Sequence, residues 1–208
     1  LEVGCGTGNY SRAVREPPLL YAQRPRAWGI DPSIEMLRQA RARAPRAHFC
    51  QGRAERLGFA ARSFDLVFSV DVMHHVTDPL AYYGEAYRVL ERDGRLCTAT
   101  DSAWIIRHRE PLSTYFPETI PYELARYPPI VDLEAMMSAV GFVGVTAQTT
   151  AYPFFTTDIG AYRNKTFSAL RLISEGAFAR GIARMERDLE QGPIRCTPRY
   201  TLVWGTKG

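Results

Sequence analysis

Over the first hundred residues, short β-branched or aromatic runs alternate with segments whose apolar positions recur at helical spacing. Residues 1–3 run into a glycine turn, 27–30 end at Asp31-Pro32, and 47–51 end at Gly52. Residues 64–70 end near Asp71 and 95–100 end at Asp101. Each run reads as a strand bounded by turn-forming residues. Between them, 33–43 opens on Ser33, whose hydroxyl can cap a helix, and continues with Ile34, Met36, Leu37 and a run rich in alanine. Residues 79–90 follow Asp78 as N-cap, place Pro79 at the first helical position and meet a stop signal at Asp93-Gly94. Strands alternating with helices predict a doubly wound α/β sheet, mostly parallel, with helices on both faces.

The second half of the chain departs from this rhythm. Residues 132–140 predict a helix stopped by Gly141, and 142–146 a strand. Residues 157–190 are mostly helical in period with a break at Gly176, and 200–206 form a last strand. The stretch 101–129 is the least regular, rich in proline and aromatic residues. No internal repeat or low-complexity tract interrupts the pattern, so one domain over 1–208 is expected, with substrate-side or cap insertions at 102–131 and 151–195. The first apolar run is shorter than the usual strand of about five residues, so an N-terminal portion ahead of Leu1 is expected too.

Composition narrows the class. A chain of 208 residues fits one domain at roughly 150 residues per domain and buries on the order of 70% of its unfolded surface. With 46% apolar and 23% charged residues, wholesale disorder is excluded. No apolar stretch approaches the ~18 residues of a membrane span, and no signal peptide opens the sequence. Cys5, Cys50, Cys97 and Cys196 lie far apart with no C-x-x-C pair. That spacing argues against a metal site and a disulfide framework and for the cytoplasm. The net charge of +4 invites a nucleic-acid partner. Yet only Lys165 and Lys207 are lysines, and the arginines are scattered among acids, as at Arg53-Ala54-Glu55-Arg56 and Glu186-Arg187-Asp188. No dense basic block forms, and DNA or RNA is not expected as a partner.

The run Leu1-Glu2-Val3-Gly4-Cys5-Gly6-Thr7-Gly8-Asn9 is a strand, three glycines at alternate positions, and a helix start. Alternate glycines let backbone N–H groups approach a ligand that a Cβ would fend off. Asp31 follows 23 residues after Gly8, at the end of the next strand. Carboxyl ends of neighbouring strands share one crevice in such a sheet, where an acid can accept both ribose hydroxyls of a nucleoside. A dinucleotide-dependent oxidoreductase uses similar parts. Against it, the glycines run G-x-G-x-G and not G-x-G-x-x-G, and no Tyr-x-x-x-Lys pair occurs.

With these motifs the sequence resembles the class I S-adenosylmethionine-dependent methyltransferases, especially the quinone-biosynthesis and small-molecule group. The marks are L-E-V-G-C-G-T-G at 1–8, G-I-D-P-S-I-E-M-L at 29–37, G-R-A-E-R-L-G-F at 52–59, F-D-L-V-F-S-V-D-V-M-H-H-V-T-D-P at 64–79, and L-E-R-D-G-R-L at 90–96. The resemblance implies a seven-stranded sheet with the last strand inserted antiparallel, and S-adenosylmethionine as cofactor, leaving as S-adenosylhomocysteine. Gly4, Gly6 and Gly8 would line its methionine half, with Glu2 fixing the turn or reaching the amino-acid part. Asp31 would hold the ribose and Met36 would pack near the adenosine. Ala54 would offer its N–H to adenine, with Ser69 and Val70 under the methionine moiety. Arg53 stands where family members often have aspartate, so Glu55 would have to substitute, and Gly58 replaces the usual proline.

Methyl transfer is an in-line displacement at a sulfonium carbon, which an enzyme promotes mainly by positioning. A general base is needed only where the acceptor carries a proton. His74 and His75 follow the fourth strand and Asp101 ends the fifth, so a histidine could serve as base with Asp101 orienting it. Trp104, Tyr115, Phe116 and Tyr122, with Arg107, His108 and Arg109, could wall a pocket for an aromatic or acidic small molecule. Phe154 and Phe155 are weaker candidates, and 178–189 reads as an amphipathic helix covering a core. The expected protein is a small-molecule methyltransferase, monomeric or homodimeric. A catalytically silent cofactor-binding subunit or sensor is the competing reading.

Overall fold

The computed structural model describes residues 1–15 and 26–208. Its strands are β1 Glu2–Val3, β2 Trp28–Asp31, β3 His48–Gln51, β4 Phe64–Val70, β5 Leu90–Thr100, β6 Phe142–Ala151, β7 Phe154–Thr156, β8 Ile194–Cys196 and β9 Arg199–Lys207. Its α-helices are α1 Asn9–Arg15, α2 Ile34–Arg43, α3 Pro79–Val89, α4 Ala103–Arg107, α5 Leu112–Tyr115, α6 Ile120–Arg126, α7 Ile130–Val140, α8 Gly160–Arg163 and α9 Glu175–Gln191. The chain divides into two compact units. The first holds Leu1–Thr100, Ile130–Gln148 and Leu202–Gly208; the second holds Asp101–Pro129 and Thr149–Thr201.

The expected doubly wound α/β sheet is present. Seven strands run in the order β3-β2-β1-β4-β5-β9-β6. β1 pairs in parallel with β2 and β4, β2 with β3, and β4 with β5. The last strand of the chain is inserted between β5 and β6. Core positions alternate with the sheet and repeat with the helices: Val3, Ile30, Val67 and Leu96 from strands meet Tyr82, Tyr83, Ala86 and Leu133 from helices, all buried. Burying each large side chain of this kind contributes ~1.5–3 kcal/mol.

Local chemistry sets the element starts. Ser33 accepts from the N–H of Met36 and caps α2. Asp78 accepts from the N–H of Ala81, with Pro79 opening α3, as the sequence predicts. The stop at Asp93-Gly94 is not where α3 ends. The helix stops at Val89, and β5 begins at Leu90. Segment 62–63 takes the terminal carbonyls, since Arg62 N–H donates to Arg88 and Ser63 N–H to Val89. Lys207 Nζ donates to the carbonyls of Tyr87 and Leu90 from the far end of the chain. Asp93, at φ +63°, sits inside β5. At Gly58 the backbone takes φ +65°. Proline, locked near φ −65°, could not stand there, which explains this departure from the family pattern.

The second unit has its own core. Leu112, Tyr115, Phe116, Leu170 and Met185 are buried together, with Phe178, Ile182 and Leu189 of α9 packed on them. The amphipathic face of α9 therefore covers this core. The expected helix over 157–190 is three pieces: α8, a 3-10 turn at Ser168–Arg171, and α9. The interruption precedes Ser174, the N-cap of α9, and Gly176 is the second residue of that helix instead of a break. β7 and β8 form an antiparallel two-stranded ribbon that the sequence pattern did not predict. The irregular stretch 101–129 holds three short helices. Its polar centre is Arg109, which pairs with Asp101 and with Glu123, while Arg126 also pairs with Glu123.

Candidate functional site

Parallel pairing brings the carboxyl ends of β1 to β4 onto one edge of the first unit, and a cavity of about 360 Å³ opens there. Val3 and Gly4 line it from β1, Ile30 and Asp31 from β2, residues 52–55 from the segment after β3, and Asp71, Val72, His75 and Val76 from the segment after β4. Its size lies in the range of small-molecule sites.

The glycine turn is held from below. Gly4 and Cys5 donate their N–H groups to the carbonyl of Ile30, at 2.8 and 3.0 Å. Gly4, Gly6 and Gly8 all have positive φ, at 70°, 49° and 79°, a region costly to side-chain-bearing residues. A Cβ on Gly4 would lie 2.4 Å from the Val72 side chain, whereas one on Gly6 would meet nothing within 4 Å. Gly6 thus has open space beside it, although neither it nor Gly8 is among the residues lining the cavity. Glu2 is buried at 3% exposure and accepts from the Ser11 hydroxyl of α1. Burial pushes its carboxyl up to about 7, partly offset by that hydrogen bond. This geometry fixes the turn by joining β1 to α1.

Asp31 bridges two elements of the site. One carboxylate oxygen accepts from the N–H of Gly6 and the other from the N–H of Ser33, both at 2.9 Å. A carboxylate offers about four acceptor positions, so both oxygens retain capacity for hydroxyl donors in the cavity. A nucleoside bearing two vicinal hydroxyls fits that donor requirement. Ala54 and Glu55 line the same cavity with Arg53. Glu55 accepts from the N–H of Thr77 at 3.0 Å and lies 3.9 Å from the Arg53 guanidinium.

Other expected residues fall elsewhere. Met36 is 41% exposed on α2 and is not among the cavity's lining residues. Ser69 is buried within β4, and neither it nor Val70 lines the cavity. His75 lines the cavity and is exposed, while the His74 ring lies beside it, centroids 4.0 Å apart and tilted by 47°, and does not line it. Asp101 belongs to the second unit, where Arg109 engages its carboxylate. Burial works to lower the Arg109 pKa, but the charges of Asp101, Tyr127 and Glu123 hold it above its usual value. Of the aromatic candidates, Tyr115 and Phe116 are buried in the second core. Trp104 and Tyr122 are exposed, Trp104 stacking on His108 at 4.7 Å. Phe154 and Phe155 are exposed on β7.

Asp71 and Val72 were missed by sequence reasoning. Asp71 turns the chain out of β4 at φ +54° and anchors its N–H on the carbonyl of Ala99. The available signal was an aspartate, a residue tolerant of left-handed backbone, directly after the strand.

The 3-2-1-4-5 order of the parallel strands, with a glycine turn after β1, an acid closing β2 and a cavity across their carboxyl ends, suits a nucleoside-containing ligand. Residues 1–98 match the family described as a methyltransferase domain. The chain is 32% identical over 108 residues to a tRNA U34 carboxymethyltransferase of Idiomarina loihiensis, covering 48% of this chain and 32% of that one. It thus spans about a third of the length of that curated relative. The YcgJ protein of Bacillus subtilis shares its fold with a TM-score of 0.62 at 23% identity, over 99% of this chain and 90% of the other. Phosphoethanolamine N-methyltransferase 2 of Haemonchus contortus, in complex with S-adenosylmethionine, matches at TM-score 0.61 and 18% identity, over 99% and 47%. Residues 1–98 thus match a methyltransferase domain, within a fold shared with a neighbour solved in complex with S-adenosylmethionine. Among the described residues, no helix is long and apolar enough to cross a membrane.

Proposed function

We propose that the protein transfers a methyl group from S-adenosylmethionine to a small-molecule acceptor, in the manner of the quinone-biosynthesis and small-molecule group, in the cytoplasm. The observation that carries this reading is the single cavity lining shared by Gly4, Asp31, Ala54 and His75. Asp31 binds the ribose hydroxyls, the glycine turn admits the methionine half, and residues 53–55 face the adenine. The cofactor supplies the electrophilic methyl group. His75, the exposed imidazole on that lining, takes the proton of an acceptor such as a phenol, and His74 packs beside it.

The name of the tRNA-modifying relative raises an RNA acceptor. The charge distribution favours the small molecule. In the second unit Arg163, Arg180 and Arg195 are paired with Glu186, Glu118 and Glu110, and Lys165 with Glu175. Paired cations are poorly placed to replace counterions on a phosphate backbone.

The test is a methyl-transfer assay against phenols, quinols, amines, acids and an unmodified tRNA pool. Transfer to a small molecule is expected, and transfer to tRNA alone would overturn the acceptor class. His75→Ala is expected to lower the rate on a phenol about 10²–10⁴-fold while S-adenosylhomocysteine affinity stays within twofold or so of wild type. Wild-type turnover by the variant across pH 6–9 would remove His75 as the base.

A further inference from the structure

The two edges of the seven-stranded sheet are unlike. β3 is four residues long, and Arg41 donates to its Phe49 carbonyl. A short edge with charged or covering side chains resists pairing with other strands. β6, at the opposite edge, is ten residues long. Residues 135–157 contain no Asp, Glu, Lys, Arg or His, in a chain that is 23% charged. Gly144 turns the strand at φ +61°. Beyond half-buried Val145, both faces of the strand are exposed through Ala151. Among the described residues no layer covers it, and the strand itself carries no charge. Val143 alone among its larger apolar residues stands 55% exposed.

We propose that β6 is a self-association edge, on which a second copy of this chain adds its own β6 in antiparallel register across a twofold axis. The absence of charge selects this occupant. A twofold axis sets each side chain against a residue of the same strand, so any charge near the axis meets a like charge at close range. A strand without charges pays none of that repulsion. An acidic or basic partner peptide would leave its own charges desolvated against Val143, Thr146, Ala147 and Gln148 with nothing to neutralise them. The outward N–H and C=O groups of β6 would join the ladders of both sheets into one.

The experiment uses the full 208-residue chain in sedimentation velocity and hydrogen exchange. The wild type is expected to dimerise, with exchange at residues 145–150 slowing as concentration rises. Thr146→Lys with Gln148→Lys, and Thr146→Glu with Gln148→Glu, should each weaken the dimer about tenfold or more, because like charges then face one another across the strands. Mixed in equal amounts, the two variants should restore the dimer as a heterodimer. That rescue separates an edge contact from a folding defect. A monomeric wild type at about 100 μM, dimerisation unaffected by either variant, or failure of the mixture to re-pair would each overturn the proposal. Binding of another protein to the edge of a monomeric wild type would also overturn it.

Discussion

The two compact units bury comparable polar chemistry for opposite purposes. In the first, Asp31 holds two backbone N–H groups and still faces a cavity. In the second, Asp101 and Glu123 are as deeply buried, but guanidinium groups of Arg109 and Arg126 engage them. An acid satisfied only by backbone N–H groups retains a negative charge for a ligand. An acid matched by a guanidinium is committed to holding the fold. The difference teaches where to look for binding: burial alone does not mark a site, and the partner does.

If that contrast is right, the largest effect on stability belongs to the second unit. Glu123→Ala takes the carboxylate from Arg126 and leaves Arg109 with Asp101 alone. Removing one member of a buried charge network costs ~3–5 kcal/mol, chiefly by stranding the other charges. Urea unfolding should show the loss, with faster amide exchange over residues 101–129 and S-adenosylhomocysteine affinity preserved in the folded fraction. A change below about 1 kcal/mol would place this network with exposed ion pairs and dissolve the comparison.

A somewhat smaller effect tests the first unit through pH. Burial raises the Glu2 carboxyl from 4.5 to about 7. The folded state therefore holds a proton that the unfolded state has released. Stability from this group is fully present below 4.5 and is lost as pH rises through about 7. The whole difference corresponds to about 3 kcal/mol. Glu2→Gln cannot ionise, so its stability should change less than wild type between pH 5 and 8 and exceed it at pH 8. Parallel pH profiles for the two proteins would show that Glu2 stays ionised, with the Ser11 hydrogen bond outweighing burial.

The same two units differ in how far the sequence reveals them. β4 spans the predicted 64–70, and the N-caps Ser33 and Asp78 accept where expected, because strand period and helix capping are local properties. The end of α3 was legible to within one residue, but its cause was not: Asp93-Gly94 lies inside β5, and the helix carbonyls are taken by residues 62–63 and by Lys207. In the second unit many side-chain contacts are of that kind: Tyr115 donates to Asp188, and Thr197 to Glu110. Short helices and a two-stranded ribbon held by distant partners leave no period to read. At the site, Gly4 and Asp31 were legible because a turn and an acid at fixed spacing suffice. The distance of Met36 from the cavity lining was not, because it depends on how α2 turns against the sheet.

Asp31→Asn gives the smallest effect and the sharpest test of the contrast. Asparagine keeps one carbonyl oxygen able to accept from Gly6 or Ser33, so the turn can persist, but it removes the charge and half of the acceptor capacity. Losing hydrogen bonds to a charged group costs ~1.5–3 kcal/mol, which should appear as weaker S-adenosylhomocysteine binding in calorimetry. The melting temperature should move far less than for Glu123→Ala, since the backbone donors keep an acceptor. NAD is expected to bind neither protein measurably. If the variant binds S-adenosylhomocysteine at full strength yet unfolds readily, Asp31 serves the turn alone. The acid at the end of β2 would then do the same work as Glu123, and the distinction between backbone-held and guanidinium-held acids would fail.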